Sequence, residues 1–436
     1  MSNTEPKNGN RKSLLVIGGG IAGVTAAIEA AETGLEVVLI EKSAYLGGQV
    51  ARLHHYFPKL CPPACGLEIN FKRLRGNPRV TVLTLAELEK LEGAPGNYQA
   101  TVKITPRFVT SACTSCGDCT AACPAELADP FEFGLAKTKA VHTRKLSAYP
   151  ATYVVERSAC PQGCDACVKA CKYAAIDLAQ AAQSKTLQVS SVLVATGWKP
   201  YDATKLDNLG FGKHANVVTN LMFERLASLD GPNGGKVLRP SDRKEPKSVA
   251  FVQCAGSRDH NHLPYCSTVC CSASLKQASY VRSLYPEAKV TIFYIDLRTS
   301  GQLQEFATKV CADTGIELVK GKVGKIEEDP PTKNLQLTVE DVLNGKKTTQ
   351  SFDMAVLATG MVPQTGGLPA DCKLDEYGFV ANGMAGIYAA GCAKRPSEVA
   401  GSVRSATGAA LKALQIAGSP TDLASVGAAM GAAHNG

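Results

Sequence analysis

The chain has 436 residues, 45% apolar and 20% charged, with 17 cysteines and a formal net charge of +8. This balance excludes disorder and fibrous repeats and allows a sizeable core. The charge forms no Lys/Arg block of the kind that would bind nucleic acid, and no apolar run reaches the ~18–20 residues of a membrane span.

The polar segment Met1–Lys12 lacks the apolar stretch of a secretory leader, so the expected location is cytoplasmic. Cysteines in that compartment point to metal ligation rather than disulfides. Ser13–Ile17 then reads as a buried parallel strand, followed by a glycine turn, a helix to about Thr33 and a second strand from Glu36 to Ile40. Residues 45–78 read as loop, with strands near 79–84 and 98–104. From 106 to 183 the apolar periodicity vanishes, and eight cysteines fall within 113–171, which marks an inserted domain. The host pattern resumes at Leu187–Ala195. A polar stretch at 231–247 precedes a new unit, with a strand at Ser248–Gln253, a helix at 272–285 and a strand at Lys289–Ile295. Strands at 351–360 and 386–391 and a helix at 400–417 close the pattern, and the Ala/Gly-rich tail is expected to fray.

Gly18-x-Gly20-x-x-Gly23 follows the first strand and opens the first helix, with Glu41 at the end of the second strand. The first glycine permits the tight turn, the second lets backbone approach a diphosphate, and the third lets helix and strand pack closely. Strand, helix and acid in register make this a dinucleotide site, with Glu41 placed to accept hydrogen bonds from ribose hydroxyls. Gly18, Gly20, Ile21, Ala22, Gly23, Glu41 and Lys42 are the candidate ligands. Further elements favour FAD over NAD: Leu46-Gly47-Gly48-Gln49, the strand-end triplets ending in Thr196-Gly197 and Thr359-Gly360, and Gly391-Cys392 before the last helix. These features resemble flavoproteins with two dinucleotide-binding domains, of the thioredoxin-reductase and glutathione-reductase type. In that family the last element reads Gly-Asp, and the Asp binds the flavin ribityl chain. Cys392 stands at that place here.

Such flavoproteins carry a second glycine fingerprint for NAD(P)H. Here the strand ending at Gln253 runs into Cys254-Ala255-Gly256-Ser257-Arg258, and Cys254, Cys266, Cys270 and Cys271 follow a C-x11-C-x3-C-C spacing. A third cluster in place of the nicotinamide site is the reading. Zinc is the rival for four thiolates, and buried core thiols are the bland alternative. The redox surroundings favour iron–sulfur.

In the insertion, Cys113-x2-Cys116-x2-Cys119-x3-Cys123-Pro124 matches the bacterial ferredoxin run, in which the fourth cysteine ligates the other cluster. The partner run is Cys160-x3-Cys164-x2-Cys167-x3-Cys171. One 4Fe–4S cluster is therefore assigned to Cys113, Cys116, Cys119 and Cys171, and the other to Cys160, Cys164, Cys167 and Cys123. Cys311 reads as core. Cys61 and Cys65 divide evenly between a flavin- or partner-facing role and an inert loop. Lys276, on the helix after Cys271, is a candidate to stabilise an anionic reduced flavin, against a solvated surface lysine.

The combination resembles the A subunits of heterodisulfide reductases and their relatives. The resemblance runs from Ser13 to about Ile416. Within that family, Tyr56-Phe57-Pro58-Lys59-Leu60-Cys61-Pro62-Pro63-Ala64-Cys65-Gly66-Leu67-Glu68-Ile69-Asn70 is similar to the A subunits of quinone-interacting membrane-bound oxidoreductases. A heterodisulfide-reductase-like A subunit of sulfur oxidation has a similar stretch.

The resemblance implies an α/β, Rossmann-like flavoprotein with two dinucleotide-binding domains and an inserted two-cluster ferredoxin-like domain, holding FAD and three 4Fe–4S clusters. The expected division is 13–105, 184–240 and 351–417 for the FAD domain, 106–183 for the insertion, 241–350 for the second Rossmann-like domain and 418–436 for a tail. The resemblance further implies an oxidoreductase subunit that is active only in a complex. It would relay electrons between menaquinone and adenylylsulfate reductase, through a haem-containing membrane C subunit together with an iron–sulfur/flavin B subunit. The chain itself would sit at the inner membrane face through these partners. The alternatives are a free-standing NAD(P)H-dependent oxidoreductase and a heterodisulfide-reductase-like subunit.

Overall fold

Ser13–Ile17 has every side chain buried, and Glu36–Glu41 repeats Val and Leu with only its ends accessible. Such runs suit strands covered on both faces. They form the centre of a five-stranded sheet in the order Ile387–Ala389, Ser191–Val194, Ser13–Ile17, Glu36–Glu41, Val80–Thr84. All its pairings are parallel, so the strands end at one carboxyl edge. The computed structural model describes residues 12–417 apart from Pro58, Lys145, Ser147, Gln302, Asn344, Ala370, Asp371, Asn382 and Gly383. The expected tail at 418–436 lies outside these residues.

One face of this sheet is covered by helices α1 (Ile21–Glu32), α2 (Pro63–Gly76) and α8 (Val399–Ala417). Alanines pack α1 against α8, with Ala26, Ala27 and Ala30 on one helix and Ala406, Ala410 and Ala413 on the other. Small side chains allow the backbones to approach closely. Helix α2 lies where loop was expected. Its buried Leu67, Phe71 and Leu74 recur at helical spacing, and Pro63 opens it. The other face carries a three-stranded antiparallel sheet of Ala86–Ala94, Asn97–Ile104 and Gln183–Val189.

Ile104 pairs with Gln183, so the two ends of the cysteine-rich segment leave and re-enter on neighbouring strands. That segment has a small core of its own, including Val109, Val141, Val155 and Ile176 with Cys119, Cys123 and Cys167. Its helices α3 (Asp118–Ala122) and α4 (Ala166–Ala170) each begin within a cysteine run.

The second unit is a seven-stranded sheet in the order Val217–Thr219, Met354–Thr359, Ser248–Ala255, Lys289–Tyr294, Ile316–Glu328, Leu335–Asp341, Lys346–Phe352. The first five strands are parallel and the last two pairings antiparallel. Helices α5 (Asn220–Ala227), α6 (Cys270–Leu284) and α7 (Leu303–Cys311) pack on it around Phe223 and Phe251. This corrects the expected boundaries. Residues 217–227 and 354–359 belong to this unit, because Val217 pairs with Ala355 and Ala250 with Ala355. The crossings occur at Trp198–Pro200 and Met361–Pro363, which pair antiparallel. Cys311, expected in the core, is half-buried, packing against the core around Phe223 and Phe251 and lining an open surface pocket with Ala307 and Thr308.

Candidate functional site

The carboxyl edge of the first sheet gathers most of the sequence-predicted flavin residues. Gly18 has φ +106°, and a Cβ there would fall 2.4 Å from the carbonyl oxygen of Ala195. A Cβ on Gly23 would fall 1.8 Å from the Gly18 carbonyl oxygen. Gly20 caps α1 with no side-chain hydrogen bond, so the first amide groups of the helix face outward with the positive end of its dipole. Gly47 lies beside this terminus. It bridges Gly20, and its N–H donates to Gly19 O at 2.8 Å. Gly48 has φ +53° and leaves a Cβ position 2.9 Å from Gly20 Cα.

Glu41 lies under the same turn. Its Oε2 accepts from Gly19 N–H at 2.6 Å, and its Oε1 accepts from Ser43 N–H and Oγ at 2.7 and 2.6 Å. Each carboxylate oxygen has two lone pairs, so Oε2 retains one for a ribose hydroxyl. Lys42 instead points to Glu87 at 3.0 Å on the surface.

Gln49 donates to Trp198 O at 3.2 Å, while its Oε1 and the Thr196 hydroxyl are buried without partners. Buried polar atoms are rarely left orphaned, and these two lie where the flavin elements converge. Gly197 has φ +73° and open space at its Cβ position. At the last strand, Gly391 N–H donates to Ser405 Oγ at 3.3 Å, and the buried Cys392 Sγ meets Ser397 O at 3.3 Å. The glycine cradle, the uncapped helix and the orphaned acceptors fit FAD.

Thr359 and Gly360 lie on the second sheet. The Thr359 hydroxyl donates to Asn220 Oδ1 at 3.0 Å, and a Cβ on Gly360 would meet Ser257 Oγ at 2.3 Å. The linker pairing of Trp198 with Pro363 ties them to Thr196 and Gly197.

The insertion brings Cys113, Cys116, Cys119 and Cys171 to the walls of one pocket, with Tyr153 and Ile176. Burial pushes the Cys119 thiol up to about 11, and Cys113 adds to the shift. Burial also raises Cys167, and its neighbours Cys160 and Cys123 push it the same way. Cys164 sits in the turn leading to α4, its carbonyl accepting from Arg157 at 3.1 Å. The first grouping thus includes Cys171 from the second run, and the second places Cys123 of the first run beside Cys160 and Cys167.

The third set meets at the carboxyl edge of the second sheet. The register of Ser248–Ala255 shifts between Val252 and Ala255, and Cys254 takes a left-handed φ of +57°. Cys270 and Cys271 open α6. Burial raises the thiol of Cys270, and Cys254, Cys271 and Cys266 raise it further. Arg258 hydrogen-bonds Cys254, and Arg298 lies near Cys271, so the set has cationic neighbours. Among the described residues, no three His, Cys, Asp or Glu side chains are grouped to hold a single metal ion. In a four-iron cluster, by contrast, each cysteine binds a separate iron.

Between the two edges lies a buried polar cluster that the sequence did not reveal. Lys276 is 4% exposed, with Nζ 3.0 Å from Glu224 Oε1 and donating to His55 O at 2.5 Å. It also lies 5.4 Å from the Phe57 ring centre. The surface-lysine reading is thereby overturned. Glu224 also accepts from Gln277 at 2.7 Å and from the His54 N–H at 2.9 Å. The rings of His54 and His55 stack at 3.9 Å, and burial pushes His54 down to about 4. Tyr56 sits by the unassigned thiols. Burial, then a hydrogen bond with Cys61, pushes its hydroxyl up to about 12.

The fold and the glycine cradle define a two-sheet, FAD-dependent oxidoreductase. A family model for FAD-dependent oxidoreductases matches residues 13–67. Thioredoxin reductases of Lactococcus lactis and T. acidophilum share the fold, with TM-scores of 0.53 and 0.51 at 15% and 14% identity, covering 93% and 92% of this chain and 99% and 98% of theirs.

In sequence, the chain is 36% identical over 423 residues to the iron-sulfur A subunit of the CoB–CoM heterodisulfide reductase of Methanocaldococcus jannaschii, covering 92% of this chain and 63% of that one. It is 34% identical over 435 residues to the A subunit of the H2:CoB-CoM heterodisulfide,ferredoxin reductase of Methanothermobacter marburgensis, covering 94% and 65%. The A subunit of the Ferredoxin/F420H2-dependent CoB-CoM heterodisulfide reductase of Methanosarcina acetivorans is 33% identical over 427 residues, covering 93% and 53%. These heterodisulfide reductase A subunits are homologues of the chain over 92–94% of its own length, and the chain spans 53–65% of theirs.

Proposed function

We propose that this chain is an FAD and iron–sulfur electron-transfer subunit that works inside a larger complex. The single observation that carries the reading is the paired edges: a flavin cradle on one sheet and a four-cysteine set where a nicotinamide turn would stand on the other. When bound, FAD would exchange electrons in pairs or singly, and 4Fe–4S clusters would pass them one at a time. The chain's own residues bind and tune these groups. Gly18, Gly20 and the α1 amides receive the diphosphate, Glu41 the ribose, and the three cysteine sets the clusters. Lys276, held against Glu224, places a positive end beside the His54–Phe57 segment that continues from the flavin loop.

The narrower proposal is a quinone-interacting membrane-bound oxidoreductase, in which the chain relays electrons between menaquinone and adenylylsulfate reductase. Its partners would be a haem-containing membrane C subunit together with an iron–sulfur/flavin B subunit, holding it at the inner membrane face. No helix among the described residues is long and apolar enough to cross a membrane, which accords with attachment through partners. The names of the relatives favour a second reading, reduction or formation of a disulfide by a heterodisulfide-reductase-like complex.

The first test is iron per flavin in anaerobically purified protein. Three four-iron clusters predict ~12 Fe per FAD. A ratio near eight leaves only the insertion loaded and makes the NAD(P)H-dependent reading live, which rapid flavin bleaching by NADH would establish. The reduced complex offered a menaquinone analogue or a thiol heterodisulfide then separates the two readings by which one reoxidises it.

A further inference from the structure

The insertion grips the loop that follows Glu41. Tyr45 OH donates to Thr152 O at 2.8 Å, Leu46 N–H donates to Tyr149 O at 2.9 Å, and Arg107 donates to the Ala44 carbonyl. Arg144, also from the insertion, donates through Nη1 to Leu46 O at 2.8 Å. That nitrogen lies 3.7 Å from the Cβ position of Gly47, which bridges Gly20 at the mouth of α1.

Arg144 is one of three guanidiniums around a single ring. Arg144, Arg225 and Arg52 lie 4.7, 4.8 and 5.2 Å from the centre of Phe131. Among the described residues, Arg225 alone of the three is paired, with Glu132 at 2.8 Å and Asp230 at 3.0 Å. Even so its Nη1 is buried without a partner. Among the described residues, Arg52 and Arg144 have no carboxylate within ion-pair distance. Burial and the neighbouring Arg52 push Arg144 down to about 10, although Glu41 and Tyr45 act in the other direction. Asp129 and Glu132 act on Arg52 from further off, whereas the partly buried Arg144 lacks, among the described residues, a close counter-ion, which is costly. An anion at the α1 terminus would supply one, and α1 already offers its amides there.

We propose that Arg144 is a diphosphate ligand of the FAD, reaching from the cluster-bearing insertion to close the flavin site, with Arg52 behind it. This rests on the FAD reading of the Gly18–Gly20 cradle. It makes flavin retention depend on a segment that contributes nothing to the first sheet.

The test uses full-length protein stripped of flavin with its clusters intact, and measures binding of ADP and of adenosine by calorimetry. ADP carries the diphosphate, and adenosine does not. Arg144→Gln is expected to weaken ADP and FAD roughly 10–100-fold, the range for a charge-assisted hydrogen bond, and to leave adenosine unchanged. Arg144→Lys, which keeps the charge and serves if the glutamine variant fails to fold, should retain part of the ADP affinity and keep adenosine binding. Equal ADP affinity in wild type and either variant would overturn the proposal. So would a parallel loss of ADP and adenosine, which marks a structural role for Arg144. If the wild-type protein binds neither ADP nor FAD, the FAD reading itself fails.

Discussion

The parallel strands of the two sheets present the same edge to different chemistry. In the first, Ser13–Ile17 runs into Gly18 at φ +106°, and α1 begins with free amides. In the second, Ser248–Ala255 runs through a register shift into Cys254 at φ +57°, and α6 begins with Cys270 and Cys271. A glycine turn lets backbone N–H groups approach an anion. At the second edge a non-glycine residue occupies the left-handed region, at a cost of about 1–3 kcal/mol, and its side chain joins three other thiols. One topology thus carries an anion cradle or a group of neighbouring thiols, according to which residue takes the positive φ.

The most damaging change to the first edge is Gly23→Ala. Its new methyl would overlap the Gly18 carbonyl, a backbone atom that cannot move aside. The expected result is loss of bound flavin, read as flavin absorbance per chain, with iron retained. Full flavin occupancy would show that helix and strand need not pack this closely. At the second edge, Cys266→Ser should remove about four irons per chain and leave the flavin in place. Loss of both cofactors would mean that the edges are not independent.

Lys276→Gln tests the cluster between them. It leaves Glu224 buried at 1% exposure without its cation, and breaking such a pair typically costs about 3–5 kcal/mol. Urea unfolding should report that loss. A redox titration should show a lower flavin midpoint potential, since a cation favours the anionic reduced ring. Lys276→Met combined with Glu224→Gln should recover much of the stability and none of the potential. A midpoint that stays put in both variants removes Lys276 from the flavin.

The smallest effect is on pH dependence. His54 has its pKa lowered, by burial first, from 6.5 to about 4. The unfolded chain therefore takes up a proton before the folded one does. Stability from this group is complete above pH ~6.5 and is lost as pH falls toward ~4. His54→Asn should flatten that part of the urea-midpoint profile, and an unaltered slope would assign the dependence to other groups.

Much of this comparison is legible in the chain. Gly18, Gly20, Gly23 and Glu41 lie within 24 residues, and both ferredoxin runs are local spacings. Local order is what sequence periodicity encodes. The assignment of 217–227 and 354–359 to the second sheet is not local, since Val217 meets its partner Ala355 across most of that unit. The same holds for Lys276 and Glu224, whose pairing no spacing rule connects, and for Arg144, which has no motif around it. Helix α2 was hidden because Pro62, Pro63 and Gly66 signal a loop. The Leu67/Phe71/Leu74 stripe was the countersignal.

The order of strands has a consequence for biosynthesis. The Ile387–Ala389 strand completes the first sheet, and Gly391 directly after it lies against Ala22 in the cradle. A chain leaving the ribosome has exposed all eight insertion cysteines by residue 171 and still lacks that strand for more than 200 residues. The insertion closes on itself once Gln183 pairs with Ile104. Synthesis thus presents all the insertion's cysteines well before the last strand of the flavin cradle exists.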